Sequence, residues 1–240
     1  AGLADAEGEE LVLTYDAFAG RLVNEHGLLL GIEPGARLIT GAARFRLAAR
    51  VVADPPSPLR ELSRLRPDSV TQRVVELAGE LRSHLVEPAE LVAHAERFRA
   101  EVDAAPTWRG QPYADLARAR AVAAERIELA GLVAGYEEIK QRYGYVEFAD
   151  QMAQAARLAT EVPPVAQALR EEFAVVLLDE YQDTSAAQAR LLAGLFSGPD
   201  AARGRGHPVT AVGDPCQAIY TWRGAAASNI LRFAGEFPAA

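Results

Sequence analysis

The stretch FAVVLLDEYQDT, residues 173–184, decides the fold of this chain. Its first six residues are all apolar, which is typical of a strand that is covered on both faces of a parallel sheet. Asp179 and Glu180 follow this run directly. Because ligands of open α/β sheets bind at the carboxyl ends of the strands, the stretch predicts a buried strand that ends at a binding site.

The residues after this stretch predict the rest of a parallel sheet. A helix is expected over 185–196, a loop rich in glycine, arginine and proline over 198–206, and a second buried strand over 209–212. The order strand, helix, strand indicates parallel pairing. An apolar run at 11–15 is a candidate strand of the same sheet, and Asp16 is expected to cap the short helix that follows it.

The sequence between these parts has helical periodicity from about residue 40 to residue 144, interrupted by proline-containing breaks at 54–58 and 105–112. Two stripes of apolar side chains at helical spacing predict core contacts: Leu91, Ala95, Phe98 and Val102, then Leu116, Ala119, Ala123, Ile127, Ala130 and Ala134. A further short helix is expected over 145–158, before an interruption at 162–164. The predicted fold class is therefore α/β: a parallel sheet domain with a large, mostly helical insertion.

The two acids after the first strand can take different chemical roles, because adjacent side chains on an extended backbone point in different directions. Asp179 could hold Mg²⁺, directly or through water, and Glu180 could orient and deprotonate an attacking water. This is the Walker B arrangement of P-loop ATPases. The alternative for an apolar run followed by two acids is a solvated loop after a core strand.

A second candidate segment, VGDPCQAIYTWRGA at 212–225, follows the next predicted strand. Gly213 allows a tight exit from that strand, and Gln217 offers an amide that can reach a phosphate oxygen or the attacking water. An aromatic and basic cluster follows, formed by Tyr220, Trp222 and Arg223. Such a cluster can stack on single-stranded bases and pair with backbone phosphate. The alternative is an aromatic core anchor beside a surface arginine.

Together the two segments resemble motifs II and III of superfamily 1A DNA helicases, the UvrD/Rep/PcrA type. The similarity runs almost without a break over 173–238 and includes Gln188, near the start of the helix between the motifs. Residues 206–217 are most similar to the actinobacterial branch, which includes subunits of helicase–nuclease complexes. The resemblance implies a partial RecA-like P-loop NTPase domain.

Two shorter segments carry weaker similarities. Residues 14–19, TYDAFA, resemble motif Ib, although Tyr15 stands where the family usually has Phe and Asp16 where it usually has His. Residues 145–150, YVEFAD, resemble the segment at which the chain re-enters the first motor domain. The domains implied are 1–27, the start of motor domain 1A with motif Ib; 28–144, the helical inserted subdomain 1B; and 145–240, motor domain 1A with motifs II and III.

The resemblance implies an ATP site and a DNA site. The implied catalytic residues are Glu180 and Gln217, and the implied magnesium ligand is Asp179. The residues expected to contact the nucleotide are Asp179, Gln182, Asp214 and Gln217. The residues expected to contact DNA are Thr14, Tyr15, Tyr220, Trp222 and Arg223. The implied cofactors are ATP and Mg²⁺, and the implied partners are single-stranded DNA and junctions between single- and double-stranded DNA.

A complete ATP site also needs a phosphate-binding loop, and the sequence contains no G-x-x-x-x-G-K-[ST] motif. In the resembling family this loop lies upstream of motif Ib, and a second motor domain follows motif III. We therefore expect the chain to be an internal fragment of a longer motor and to be inactive as an ATPase alone.

Composition restricts the remaining choices. The formal net charge of −8 argues against a dedicated nucleic-acid module, although a local basic groove on an acidic protein still attracts phosphates. A single cysteine, Cys216, and four histidines without metal spacing exclude a disulfide framework and a zinc cluster. The N-terminus lacks the basic start of a signal peptide, and no apolar run approaches the roughly 18 residues of a membrane span. We expect a cytoplasmic, nucleoid-associated bacterial protein without a membrane partner.

Three functions stay open at this point. The chain could belong to a DNA translocase that unwinds duplex, by family 3′ to 5′, in repair or recombination. It could belong to the motor subunit of a recombinational helicase–nuclease complex, with a partner subunit. It could also be a non-enzymatic DNA-binding or assembly module, although intact Asp179, Glu180 and Gln217 argue against a degenerate motor.

Overall fold

The computed structural model describes residues 11–33, 35–107, 113–219 and 228–238, which are mostly helical with two small parallel sheets. The first elements are α1 (Tyr15–His26), β1 (Arg37–Leu38), α2 (Gly41–Ala53), α3 (Pro67–Ser83), α4 (Pro88–Asp103) and α5 (Ala114–Arg142). They are followed by β2 (Tyr145–Val146), α6 (Phe148–Glu161), α7 (Pro163–Glu172), β3 (Val176–Leu178), α8 (Ala186–Phe196), β4 (Val209–Ala211) and α9 (Ser228–Glu236). Short 3-10 helices lie at Gly27–Leu30, Leu62–Arg64, Tyr181–Asp183, Ala201–Arg203 and Pro215–Gln217.

The predicted parallel pairing of the two strands is confirmed, because β3 pairs with β4 in parallel, from Val176 opposite Val209 to Leu178 opposite Ala211. The predicted burial of the first strand on both faces is wrong. Leu178 is buried in a core with side chains of α6, α7 and α8, whereas Leu177, on the other face, is 77% exposed. The alternation along the strand therefore shows a sheet covered on one face within the described residues.

The predicted strand at 11–15 does not form. Val12 is 89% exposed, and α1 begins already at Tyr15. The helix is capped by Thr14, whose hydroxyl accepts a hydrogen bond from the N–H of Ala17 at 3.2 Å, so the predicted cap, Asp16, lies inside the first turn. A threonine that satisfies a free N–H of the first turn favours the helix over an extended run.

The two predicted breaks of the helical stretch are confirmed, since α2 ends at Ala53 and α4 ends at Asp103. The predicted interruption at 162–164 is confirmed at Val162, which separates α6 from α7, but the two prolines are not part of a loop, because α7 begins at Pro163. Proline is favoured in the first turn of a helix, where its missing N–H would have no partner anyway. The helix expected from residue 145 begins later, at Phe148, after the short strand β2.

The apolar stripes are core contacts only in part. Ala95, Val102, Ala123 and Ala130 are buried as predicted, but Ala134 is exposed. Near its end α5 instead buries Leu132, Val133 and Tyr136. This helix packs against α4, α3 and α2, so the face that it buries changes along its length.

No described helix is both long and apolar enough to cross a membrane.

The buried apolar side chains form two clusters. One lies among α2, α3 and α5 and includes Val51, Val74 and Leu132. The other joins α1, α6, α7 and α8 to β3 and includes Leu22 and Leu191. The short sheet of β1 and β2 pairs the chain before α2 with the chain after α5, so the helical stretch leaves and returns at neighbouring positions.

A buried group of charges, which we call the lysine cluster, lies between α5 and α6. Its centre is Lys140, the only lysine in the sequence, with a side chain that is 3% exposed. The Lys140 amine lies 2.9 Å from Glu137, 3.1 Å from Glu147 and 2.7 Å from Asp150. The cluster is completed by Arg44 of α2, which pairs with Glu147, and by Arg82 of α3, which pairs with Glu137 and Asp150.

The lysine cluster ties the helical stretch to α6 through matched charges. Burial alone would lower the pKa of Lys140, but the carboxylates of Asp150, Glu137 and Glu147 outweigh it and raise that pKa. In a chain whose other side-chain cations are arginines, a compact ammonium with three donors suits carboxylates that approach from three directions, which a planar guanidinium does not.

Replacing Lys140 by Met should lower the free energy of unfolding by about 3–5 kcal/mol, because it leaves buried carboxylates without their shared cation. Lys140→Arg should also destabilise, by about 1–3 kcal/mol, because the larger fork must be accommodated in a packed site. Urea unfolding of the 240-residue chain measures both.

The matched control is Arg142→Met, because Arg142 lies on the same helix and its ion pair with Glu138 is exposed. We expect its effect to stay within about 0.5 kcal/mol. Equal stability of the Lys140→Met and Arg142→Met variants would contradict the role of the lysine cluster.

Candidate functional site

Two loops follow the paired strands, and backbone hydrogen bonds hold them side by side. We call residues 179–184 the acidic loop and residues 212–219 the glutamine loop. Past the last strand pair, the N–H of Val212 donates to the carbonyl of Leu178 at 2.8 Å, and the N–H of Tyr181 donates to the carbonyl of Val212 at 3.0 Å. The parallel register therefore continues into both loops and fixes their separation.

The acidic loop turns sharply at Glu180. This residue has φ 51° and ψ 41°, in the left-handed region, which non-glycine residues rarely adopt unless their surroundings impose it. An extended backbone was predicted at Asp179 and Glu180, with side chains that point in different directions. That prediction is wrong at Glu180. The turn is held by the Thr184 hydroxyl, which donates to the carbonyl of Tyr181 at 2.7 Å, and by Asp179, whose carboxylate accepts from the N–H of Glu180 at 3.0 Å.

Gln182 connects the acidic loop to the glutamine loop. Its side-chain N–H donates to a carboxylate oxygen of Glu180 at 2.5 Å, and its side-chain oxygen accepts from the N–H of Asp214 at 3.0 Å. A Cβ at position 213 would overlap the side-chain oxygen of Gln182 and lie 3.2 Å from its backbone nitrogen. Gly213 does not have a positive φ, so the reason for glycine here is this close approach and not the tight exit that the sequence suggested.

The glutamine loop is organised by Asp214. One of its carboxylate oxygens accepts from the N–H of Cys216, and the other accepts from the side-chain N–H of Gln217, each at 2.8 Å. The bond from Gln217, followed by that from the N–H of Cys216, holds the pKa of Asp214 below its usual value. The carboxylate therefore stays ionised at neutral pH and fixes the amide of Gln217.

The two loops and α1 enclose an open cavity of about 490 Å³. It is lined by Tyr15, Glu180, Gln182, Asp183, Gln188, Gln217 and Ile219. Four residues singled out in the sequence for function, namely Tyr15, Glu180, Gln182 and Gln217, are thus brought together. Asp179 and Asp214 do not line the cavity themselves; each contacts a residue that does.

Asp183 is a lining residue that was not assigned a role from the sequence. One of its carboxylate oxygens is buried and has no hydrogen-bond partner among the described residues. The signal that could have identified it is its spacing of three from Glu180, since residues three apart lie on the same side of a helical turn.

Tyr15 belongs to this site rather than to an isolated surface. Its hydroxyl donates a long hydrogen bond, 3.4 Å, to the carbonyl of Asp179. Burial, and then the charge of Asp179, raise the pKa of Tyr15 to about 12, so the phenol is neutral at physiological pH. Thr14 is exposed, and its hydroxyl caps α1. The predicted DNA contacts of Tyr220, Trp222 and Arg223 lie outside the described residues.

The side chains at the site fit a magnesium nucleotide. Asp179 is exposed and offers carboxylate oxygens, the donors that Mg²⁺ prefers, and Mg²⁺ is commonly bound by one or two carboxylates together with substrate phosphates. Within the described ranges, no group of three or more His, Cys, Asp or Glu residues could hold a metal alone.

Comparison with known proteins identifies a matching family and several similar relatives. The model of the UvrD/REP helicase N-terminal domain matches residues 6–238. DNA helicase II of Salmonella typhimurium and that of Escherichia coli are each 42% identical over 108 residues, which is 44% of this chain and 14% of each relative. The ATP-dependent DNA helicase PcrA of Staphylococcus aureus is 34% identical over 115 residues, which is 47% of this chain and 14% of PcrA. The matched part is thus a small portion of these relatives.

Gly213→Ala should destabilise the chain by about 1–3 kcal/mol, because the added methyl forces Gln182 out of its position between the loops. Thermal unfolding of the chain measures this. Gly131→Ala is the control, since position 131 lies in α5 and a Cβ there meets nothing within 4 Å. That change should stabilise by about 0.5–1 kcal/mol through helix propensity. A Gly213→Ala variant as stable as Gly131→Ala would rule out the close approach.

Proposed function

The chain belongs to the UvrD/REP helicase N-terminal domain family, and from this premise we propose that it is part of an ATP-dependent DNA helicase. The whole protein would couple ATP hydrolysis to 3′ to 5′ movement on single-stranded DNA and to duplex unwinding in repair or recombination. The observation that carries the proposal is the cavity in which Glu180 and Gln217 meet at the carboxyl ends of two paired parallel strands. That edge of a sheet is the binding edge of open α/β domains.

We propose that the sheet of β3 and β4, with α6, α7 and α8, forms part of a RecA-like motor domain 1A, made from residues 1–27 and 145–240. Residues 28–144 would then form the inserted subdomain 1B. The separate apolar cluster of α2, α3 and α5 supports this division. The pairing of β1 with β2, where the chain leaves and returns, also supports it.

In the proposed ATP site, Asp179 would hold Mg²⁺, which when bound neutralises charge on the phosphate oxygens. Glu180 would act as the general base that orients the attacking water and accepts its proton. Glu180 lines the cavity, and its carboxylate is held by Gln182. The left-handed backbone of Glu180 supports this role, because such conformations cluster at active sites.

Gln217 would sense the terminal phosphate of ATP, because this residue lines the cavity and its amide is oriented by Asp214. Asp214 and Gln182 would complete the nucleotide contacts. When a phosphate oxygen attracts the amide N–H of Gln217, the bond from Gln217 to Asp214 competes with it. The nucleotide state would thereby change the position of the glutamine loop and of the residues that follow it.

The DNA contacts would come from Thr14, Tyr15, Tyr220, Trp222 and Arg223. Tyr15 supports a link between the two sites, because it lines the cavity and lies against Asp179 while Thr14 precedes it at the start of α1. With a net charge of −8, DNA affinity would depend on these local contacts rather than on the field of the whole chain. The helicase would act in the cytoplasm on the bacterial nucleoid, alone or with a nuclease subunit.

The 240-residue chain alone should not hydrolyse ATP, because it lacks the lysine-bearing loop that cradles the phosphates. We expect its ATP turnover, with and without single-stranded DNA, to equal that of a buffer blank in a phosphate-release assay. Turnover that DNA stimulates and that purification does not remove would contradict this expectation.

In the whole helicase, Glu180→Gln should lower kcat for ATP by about 10²–10⁴-fold, because an amide cannot accept the proton. Binding of ATP, measured with a fluorescent analogue, should be retained. Glu172→Gln is the control, since Glu172 is exposed on α7 and pairs with Arg21 away from the cavity. Normal turnover in the Glu180→Gln protein would show that Glu180 is not the base and would favour a non-enzymatic module.

Trp222→Ala in the whole helicase should weaken binding of single-stranded DNA by about 1–3 kcal/mol, the usual contribution of one stacked base. Unwinding should fall more than ATP turnover measured without DNA. Trp108→Ala, which removes the other tryptophan of the sequence, is the control and should bind DNA normally. Equal DNA affinity of the two variants, measured by fluorescence anisotropy, would exclude the stacking role.

A further inference from the structure

We propose that Gln182 is a positioning residue, which sets the direction of the Glu180 carboxylate and couples it to the glutamine loop. The inference rests on the proposed function, in which Glu180 is the general base. It assigns Gln182 a role that acts through Glu180, beside the direct nucleotide contact expected from the sequence.

The first observation is that both ends of one buried amide are used by two different loops. Gln182 is 1% exposed, so water does not compete for its bonds. Its N–H reaches Glu180 at 2.5 Å, within its own loop, and its oxygen receives the N–H of Asp214 at 3.0 Å, from the other loop. The amide therefore joins two segments that are 32 residues apart in the chain.

The orientation of this amide is determined by its partners. A carboxylate can only accept and a backbone N–H can only donate. If the amide were flipped, its oxygen would face the Glu180 carboxylate and its N–H group would face the N–H of Asp214, so both contacts would be repulsive. The network thus permits one orientation, and that orientation pulls one oxygen of Glu180 towards Gln182.

The second observation is a continuous line of hydrogen bonds from Glu180 to Gln217. It runs from Glu180 to the side chain of Gln182, then to the backbone of Asp214, and from the carboxylate of Asp214 to the amide of Gln217, which lies 2.8 Å away. A phosphate that displaces Gln217 from Asp214 would therefore shift the oxygen of Gln182 and, through it, the carboxylate of Glu180. Hydrolysis would become dependent on correct seating of the terminal phosphate.

The third observation is that the space for Gln182 is provided by Gly213. Any side chain at position 213 would overlap the Gln182 amide oxygen. A glutamine that only filled core volume would not need its amide oxygen at this distance from the neighbouring backbone. The pair of Gly213 and Gln182 therefore fits an oriented bridge better than it fits passive packing.

The test uses the whole helicase and two replacements of Gln182. Gln182→Glu keeps an oxygen for the N–H of Asp214 but places a second carboxylate against Glu180. Two carboxylates this close cannot both ionise freely, so the acidic limb of the rate–pH profile should move up by about one pH unit or more. In Gln182→Met the side chain keeps a similar shape but forms neither hydrogen bond. The kcat of this variant should fall by about tenfold or more, with KM nearly unchanged and with the acidic limb of the rate–pH profile in its original place.

The other titratable groups near Glu180 among the described residues are Asp179 and Asp183 of the acidic loop, Asp214 of the glutamine loop and Tyr15 of α1. All of them are the same in the three proteins, so a shift confined to Gln182→Glu reports the new carboxylate. Gln167→Met is the control, because Gln167 pairs with Glu171 on the exposed side of α7, and its kinetics should match those of the unmodified protein.

The outcomes separate this inference from the proposed function. If Glu180→Gln is inactive and Gln182→Glu has the unmodified rate–pH profile, Gln182 does not position the base. Equal losses in both Gln182 variants without any difference in pH dependence would indicate a purely structural role and would also overturn the inference. Normal turnover in Glu180→Gln would instead overturn the proposed function itself.

Discussion

The pairing of β3 with β4 is the interaction on which the candidate site depends. Two parallel strands of three residues each would be a weak scaffold alone, but their hydrogen-bond register continues through Val212 to Leu178 and Tyr181. This extension brings two loops that are remote in sequence to a fixed separation. Everything that follows, including the left-handed turn at Glu180 and the bridge through Gln182, requires that separation, because an amide reaches two partners only when both are held in place.

A second constraint is electrostatic and lies away from the cavity. The lysine cluster joins α2, α3 and α5 to the start of α6, and α6 in turn packs against α8, which follows the acidic loop. Matched buried charges therefore attach the helical stretch to the part of the chain that contains the sheet. Within each of these two parts, the packing is apolar. Buried ion pairs are demanding in geometry, so this attachment favours one orientation of α6 relative to α5.

The fold and the site were predictable from the sequence where the signal is local. An unbroken apolar run followed by acids indicated the strand and the position of the acidic loop at its end, and proline-rich breaks marked the ends of α2 and α4. The errors arise where one particular side-chain contact decides. The run at 11–15 looks like a strand, but Thr14 caps a helix there. Gly213 looks like a turn glycine, but it makes room for Gln182. The burial of Lys140 depends on carboxylates of two helices, which helical periodicity alone does not reveal.

The central claim is that the acidic loop and the glutamine loop form one half of an ATP site. It is tested most directly by an experimental structure of the whole helicase with a non-hydrolysable ATP analogue and Mg²⁺. The account predicts that the carboxylate of Asp179 contacts the metal, directly or through one water, and that Glu180 and Gln217 both face the terminal phosphate. A nucleotide bound away from these loops, with Glu180 and Gln217 facing solvent, would contradict it.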